Sequence, residues 1–429
     1  MRGSRLSETD FLTWRLQQNP ILRPTIVAVL ILDSAPGWDR LVGAVERATR
    51  AVPGFRSKLV GERLGLRPPH WVPDQAFDLS WHLREVRTHR PVDASVALEF
   101  ARAEAMAVFD RARPLWRAQL IQGPDDGTAA LVLTVHHTLT DGVGGMRMLS
   151  AMCDGEAAGH RSDTGPAAGA TRSGPAHRVR SVRGAATAVT SLARLVKPVL
   201  STLSPVMTER STGRRLAVLD LPAEQLRRSA HTAGCTINDA FLTAVLLGLR
   251  RYHDQHGATV DRLRVTMPIS LRATDDPLGG NRISLARFVV PADIADATDL
   301  MLAVDTAVSA QRNEPGVHYS GAAAAVLNRV PIRLISSMLE HIDFVASDVP
   351  GSPVPQFLAG ARIDRLYAFS PTLGASFNIT LTTNTGICGV GINADTAAVP
   401  DLPALRDCVA AGFDAVLRVG RDSGETDQT

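Results

Sequence analysis

Two adjacent histidines, His136 and His137, are separated by three residues from Asp141 and Gly142 in the run LVLTVHHTLTDGVGGMRMLS that spans Leu131–Ser150. An imidazole with an ordinary pKa near ~6.5 suits proton abstraction from a hydroxyl at neutral pH. The apolar residues leading into the pair read as a strand, and strand side chains alternate faces, so the two rings must point in opposite directions. They cannot serve one site together. This disfavours a metal centre, which would want both imidazoles on one ion. It favours one ring facing a cleft while the other is held by packing or hydrogen bonds. Asp141 falls where the chain turns back, and a buried carboxylate there needs a cation or several donors. Gly142, Gly144 and Gly145 allow close backbone approach at the start of the following helix.

The elements that must hold this segment alternate between strand and helix character. Thr25–Leu32 is a strand-like run of β-branched and apolar residues, and Asp39–Val52 has helical spacing. Arg117–Ile121 and Ala129–His137 read as two strands joined by the turn Gly123-Pro124-Asp125-Asp126-Gly127. After Cys153 the composition changes to Gly, Ala, Ser, Thr, Pro and Arg through Arg178, the signature of a flexible linker. Val182, Ala186, Val189, Leu192, Leu195, Val196 and Val199 then recur at helical spacing beside Arg180, Arg183, Arg194 and Lys197, which predicts a basic amphipathic helix. Such a helix packs on the body as a crossover or lies in a lipid interface. The second half predicts a strand at Leu216–Leu221, a helix from Ile237 to His256, strands at Arg264–Leu271 and Ile283–Pro291, and helices at Thr298–Arg312 and Ser320–Glu340. A β-rich stretch from Asp343 to Asp395 and a helix at Leu402–Val419 follow. The division expected is an N-terminal unit over 1–153, a linker with crossover helix over 154–214, and a C-terminal unit over 215–429. No 20–50-residue period repeats, which excludes solenoids and propellers.

Bulk composition narrows the function classes. A chain of 429 residues exceeds one ordinary core, so two α/β units with a cleft between them are expected. The net charge of +3 is too small to suggest a nucleic-acid partner, and lysine occurs only at Lys58 and Lys197. Cys153, Cys235, Cys388 and Cys408 are scattered, without the spacing of a disulfide framework or zinc site. The first twenty residues do not read as a secretory signal, and no apolar run reaches the ~20 residues that span a bilayer. A cytoplasmic protein, in peripheral contact at most with an inner membrane or lipid inclusions, is the expectation.

The HHxxxDG pattern resembles the signature of the bacterial wax ester synthase/diacylglycerol acyltransferase family, within the wider group of HHxxxDG acyltransferases that includes peptide-synthetase condensation domains. Further stretches carry the resemblance along the chain in order. Leu6-Ser7-Glu8-Thr9-Asp10 is similar to the family's N-terminal start, and Pro114-Leu115-Trp116 to its step ahead of the catalytic strand. Asn238-Asp239 matches its asparagine-aspartate pair, and Pro268-Ile269-Ser270-Leu271-Arg272 with Gly280-Asn281 its proline-to-asparagine stretch. The chain departs from the family at Ser347-Asp348-Val349-Pro350-Gly351-Ser352, where an acid replaces the usual asparagine and the final proline is missing.

The resemblance implies two chloramphenicol-acetyltransferase-like subdomains with the active site in a channel at their interface. It implies transfer of a fatty acyl group from acyl-CoA, as substrate and without a further cofactor, to diacylglycerol or a long-chain fatty alcohol. His137 is then the general base, and Asp141 holds the loop through an ion pair to Arg272; His136 completes the catalytic set of His137, Asp141 and His136. Gly142, Asn238, Arg272 and Asn281 are the implied substrate-binding residues. Local readings stand beside these: Thr236-Ile237-Asn238-Asp239 fits a helix capping box, Asn281 fits a turn, and Trp116 fits a core aromatic. The alternatives are a condensation-type enzyme using a carrier-protein thioester with a polyol or amine, or a lipid-droplet binding protein without turnover.

Overall fold

The computed structural model describes residues 4–61, 67–125, 127–154, 201–270, 283–312 and 320–425. The first part runs α1 (Glu8–Leu16), β1 (Thr25–Leu32), α2 (Trp38–Ala51), β2 (Ser57–Val60), β3 (His70–Pro73), α3 (Leu79–His82), β4 (Leu83–Arg87), α4 (Ala94–Met106), β5 (Trp116–Gln122), β6 (Ala129–His136) and α5 (Gly142–Met152). The second runs β7 (Arg214–Pro222), α6 (Ala223–Thr232), α7 (Ile237–Gln255), β8 (Arg262–Ser270), β9 (Ile283–Pro291), α8 (Ala297–Arg312), α9 (Ser320–Leu327) and α10 (Ile332–Leu339). It continues with β10 (Phe344–Pro350), β11 (Phe357–Leu358), β12 (Ala361–Phe369), β13 (Phe377–Asn384), β14 (Ile387–Asp395) and α11 (Leu402–Glu425). The predicted linker beyond Asp154 and the basic amphipathic helix to Val199 lie outside the described residues.

Two mixed six-stranded sheets organise these elements, in the orders β11-β12-β1-β6-β5-β4 and β7-β14-β13-β10-β8-β9. The two-unit α/β architecture agrees with the expectation, with one exchange that a contiguous division of the chain misses. Strands β11 and β12 come from the second half yet complete the first sheet, where β12 runs antiparallel to β1 from Val27↔Phe369 to Leu32↔Ile363. The long apolar run of β1 therefore has a partner on each side, β6 being the other, and it lacks a polar face because Val27, Val29 and Ile31 pack into one apolar cluster and Leu30 and Leu32 into another on the opposite face.

The sheets meet where β12 lies over β14. A Cβ at Gly389 would collide with the carbonyl oxygen of Leu366, and one at Gly391 with that of Ala368. Thr382 on β13 donates its hydroxyl to the same Leu366 carbonyl at 2.8 Å. A second tie joins the edge strand β7 to the segment before β1. Buried Arg214 pairs with Asp395 at 3.0 Å and also donates to the carbonyl of Ile21. In the second core, α7 is buried on most of its circumference, as a central helix must be. Its first turn is closed by the predicted capping box, in which Thr236 and Asp239 each accept the other's backbone N–H.

One predicted element differs. The helix expected over Ser320–Glu340 is two helices, α9 and α10, because Pro331 has no amide proton and disfavours helix in the residue before it. The break is used: Arg15 of α1 donates to the carbonyls of Leu327 (3.1 Å), Asn328 (2.6 Å) and Val330 (2.9 Å), and Asn328 donates back to Glu8. The N-terminal helix is thereby fastened to the second half. Substituting Gly391 by alanine drives a methyl group into the β12 backbone, and a loss of about 1–3 kcal/mol is expected from such overpacking. Urea unfolding should show a lower midpoint at unchanged slope.

Candidate active site between the two sheets

Strand β6 sends alternate residues to opposite faces of the first sheet. Ala130 and Val132 belong to the cluster that packs under α4, whereas Leu131, Leu133 and Val135 face the other way. His136 ends the first series and His137 continues the second, as the alternation requires.

His136 is fully buried. Its ring meets Trp14 and Phe109 edge-on, each with centroids 5.8 Å away. The backbone N–H of Thr138 donates to its Nδ1 at 3.2 Å, and the Thr138 hydroxyl lies 2.8 Å from the same nitrogen. The ring proton must therefore sit on Nε2, which has no hydrogen-bond partner among the described residues. Burial, the neighbouring His137 and Arg111 push this imidazole down to about 3. His136 is a neutral wedge that shapes the strand end. It does not line the cavity that His137 lines, so the structure separates it from the catalytic set in which it was placed.

His137 is anchored by its backbone N–H, which donates to Pro24 O at 2.9 Å. Its side chain lines a cavity of about 290 Å³ with Asp141, Gly142, Val349, Pro268 and Leu327 among its walls. The ring is half-buried, and its Nδ1 makes no hydrogen bond of good geometry among the described residues. Burial lowers its pKa, while its own backbone carbonyl and Asp141 act in the opposite direction. A neutral imidazole with an open flank on an apolar cavity can accept a proton.

Asp141 is the N-cap of α5, where its carboxylate accepts the Gly144 N–H at 2.8 Å and its carbonyl accepts the Gly145 N–H. The first satisfies one of the orphan donors of the helix start, and the second is the first bond of the helix itself. Gly142 and Val143, the next two residues, line the cavity at the positive end of the helix dipole. A side chain at Gly142 would begin 2.8 Å from Val349 Cγ2, so glycine lets α5 start against β10 of the other sheet.

The remaining expected residues divide. Arg272 and Asn281 lie outside the described residues. Asn238 is buried, its Nδ2 has no partner among the described residues, and it is not among the cavity-lining residues; its place in the capped first turn of α7 is what the structure shows. Trp116 is core: it stacks on His82 with centroids 4.7 Å apart and donates Nε1–H to Phe55 O. Sequence reasoning did not single out the α1, α9 and α10 side chains that wall the cavity, Leu12, Leu16, Leu327, Ile335 and Leu339. Their spacing signals only amphipathic helices, and that they share one cavity is a tertiary fact.

This arrangement, two mixed sheets joined by an exchanged strand with the histidine motif at their seam, is a known fold class. The structure superposes on the wax ester synthase/diacylglycerol acyltransferase from Marinobacter aquaeolei VT8 with a TM-score of 0.66 and 22% identity, covering 97% of this chain and 100% of that one. A condensation domain of the calcium-dependent antibiotic synthetase matches with a TM-score of 0.69 and 16% identity, over 98% and 97% of the two chains. The starter condensation domain of rhizomide synthetase, solved with C8-CoA, matches with a TM-score of 0.65 and 13% identity, over 98% and 95%. In sequence, residues 24–241 match the wax ester synthase/diacylglycerol acyltransferase catalytic domain and residues 279–416 its C-terminal domain. A Mycobacterium tuberculosis H37Rv protein provisionally named a diacylglycerol O-acyltransferase is 32% identical over 451 residues, 97% of this chain and 92% of the relative. The chain belongs to the wax ester synthase/diacylglycerol acyltransferase family.

Removing the His136 ring leaves the Thr138 N–H buried without an acceptor, at a cost of about 1–3 kcal/mol. His136→Ala should therefore lower the denaturant midpoint. His137→Ala, which breaks no side-chain hydrogen bond among the described residues, should leave it nearly unchanged.

Proposed function

We propose that this acyltransferase moves a fatty acyl group from acyl-CoA to a lipid alcohol, diacylglycerol or a long-chain fatty alcohol, with His137 as the general base. The observation that carries the reading is the half-buried His137 ring on the wall of an apolar cavity, beside the N-terminus of α5. The acceptor hydroxyl gives its proton to His137 as its oxygen attacks the thioester carbonyl. A tetrahedral oxyanion forms, and the N–H groups of Gly142 and Val143, which line the cavity at the start of α5, are suited to receive it. The C–S bond then breaks, and the proton held on His137 passes to the departing thiolate. Proton and charge balance without a covalent acyl-enzyme. The helices α1, α9 and α10 offer the apolar wall that an acyl tail requires. Acyl-CoA as donor is supported by the C8-CoA held by the rhizomide synthetase neighbour. Contact with a membrane or lipid-inclusion surface supplies such substrates; among the described residues no single helix is long and apolar enough to cross a bilayer.

The test is incubation of purified protein with labelled palmitoyl-CoA and hexadecanol or diacylglycerol, with detection of the ester. His137→Ala should lower kcat/KM by about 10²–10⁴-fold, the range for loss of a general base; near-native turnover by the folded variant would exclude this mechanism. The pH dependence has a definite sign. The base works only when neutral, and its pKa is lowered by burial. The acidic limb of kcat/KM should therefore fall below ~6.5, the ordinary imidazole value.

A further inference from the structure

The second sheet is open on one side of β10. That strand pairs with β13 through all seven residues, from Phe344↔Phe377 to Pro350↔Thr383. It pairs with β8 only at Phe344↔Val265 and Val345↔Thr266, although β8 continues to Ser270 in register with β9. The cavity enters this gap, because its lining includes residues from both faces of the sheet. Val345, Thr266 and Arg287 belong to the face towards the first sheet. Asp348 and Ser284 belong to the opposite face, in series with Phe344 and Ala346 and with Ala286 and Phe288 of the helix-covered core.

Asp348 is the acid that this opening exposes beyond the motif itself. Among the described residues no hydrogen bond or ion pair reaches its carboxyl, and Arg312 is the cation whose field acts on it. The hydroxyls of Ser284, on the same face of the sheet as Asp348, and of Thr266, on the other face, also line the cavity and are buried without a hydrogen-bond partner among the described residues. Burial pushes the Asp348 carboxyl up to about 6, so at about pH 8 it remains an anion that accepts hydrogen bonds and has none to donate. A half-buried carboxylate on an apolar cavity wall is incompletely solvated, and a bound molecule that donates to it recovers part of that cost. The polyanionic CoA is a poor occupant for a passage walled by a carboxylate, since like charges repel more strongly out of water. A neutral acceptor is a good one.

Resting on the acyl-transfer reading above, we propose that Asp348 ranks the acceptors: a lipid alcohol bearing a second hydrogen-bond donor, such as a vicinal diol, is used in preference to the single-hydroxyl acceptors, diacylglycerol and fatty alcohols, whose hydroxyl is spent on the reaction. Hydrogen bonds to a charged partner make the expected preference about tenfold or more in kcat/KM. The experiment compares 1,2-hexadecanediol with 1-hexadecanol as acceptors for palmitoyl-CoA at about pH 8, using the native protein, Asp348→Leu and the near-isosteric Asp348→Asn. The expected result is a diol-to-monol ratio of about ten or more for the native protein that falls towards one in Asp348→Leu, with Asp348→Asn between them. The ratio is internal to each variant, so partial loss of folded protein does not move it. A native ratio near one, or a ratio unchanged by both substitutions, overturns the proposal. So does a change confined to the KM for palmitoyl-CoA, which would assign Asp348 to the donor. If the native protein esterifies neither acceptor, the acyl-transfer reading itself falls and takes this one with it.

Discussion

The site depends on a constraint of β geometry: neighbouring side chains on a strand cannot share a face. At the end of β6 this divides two chemically identical rings into different environments. One is closed in by Trp14 and Phe109 and held neutral, and its Nδ1 fixes the turn through Thr138. The other emerges on the cavity side with its backbone tied to Pro24. The first ring secures the exit angle of the chain, which in turn aims the second. Asp141 then closes the turn by capping α5.

Around that point the cavity is chemically divided. Its walls from α1, α9 and α10 are aliphatic, and the guanidinium of Arg15 holds α1 to the broken helix through three carbonyls. Its walls from β8, β9 and β10 carry Thr266, Ser284, Arg287 and Asp348. An amphiphilic substrate has a natural orientation in such a space, tail towards the helices and polar end towards the strands. The glycine at 142 brings the helix start of one unit against Val349 of the other, so the reactive seam is built from both.

Much of this was legible in the sequence because the signals are local. The apolar run of β1, the capping box at Thr236, the strand running into His136 and the opposition of the two rings follow from periodicity and side-chain chemistry within a few residues. The break between α9 and α10 was readable from Pro331 but outweighed by the helical pattern on either side of it. Asn238 shows how one motif supports two readings, since the capping box explains its surroundings. The cavity walls and the return of β12 into the first sheet rest on partners far apart in the chain, and no periodicity encodes which distant strand lies beside β1.

That return has a consequence for how the protein is born. As the polypeptide leaves the ribosome, β1, β5 and β6 can pair early, yet one flank of β1 stays a bare edge until β12 is synthesised. Exposed edges invite wrong partners, and closure between such distant segments is slow. The nascent first half thus carries a sticky margin through most of translation, and chaperone demand should peak then and ease once Phe369 has emerged.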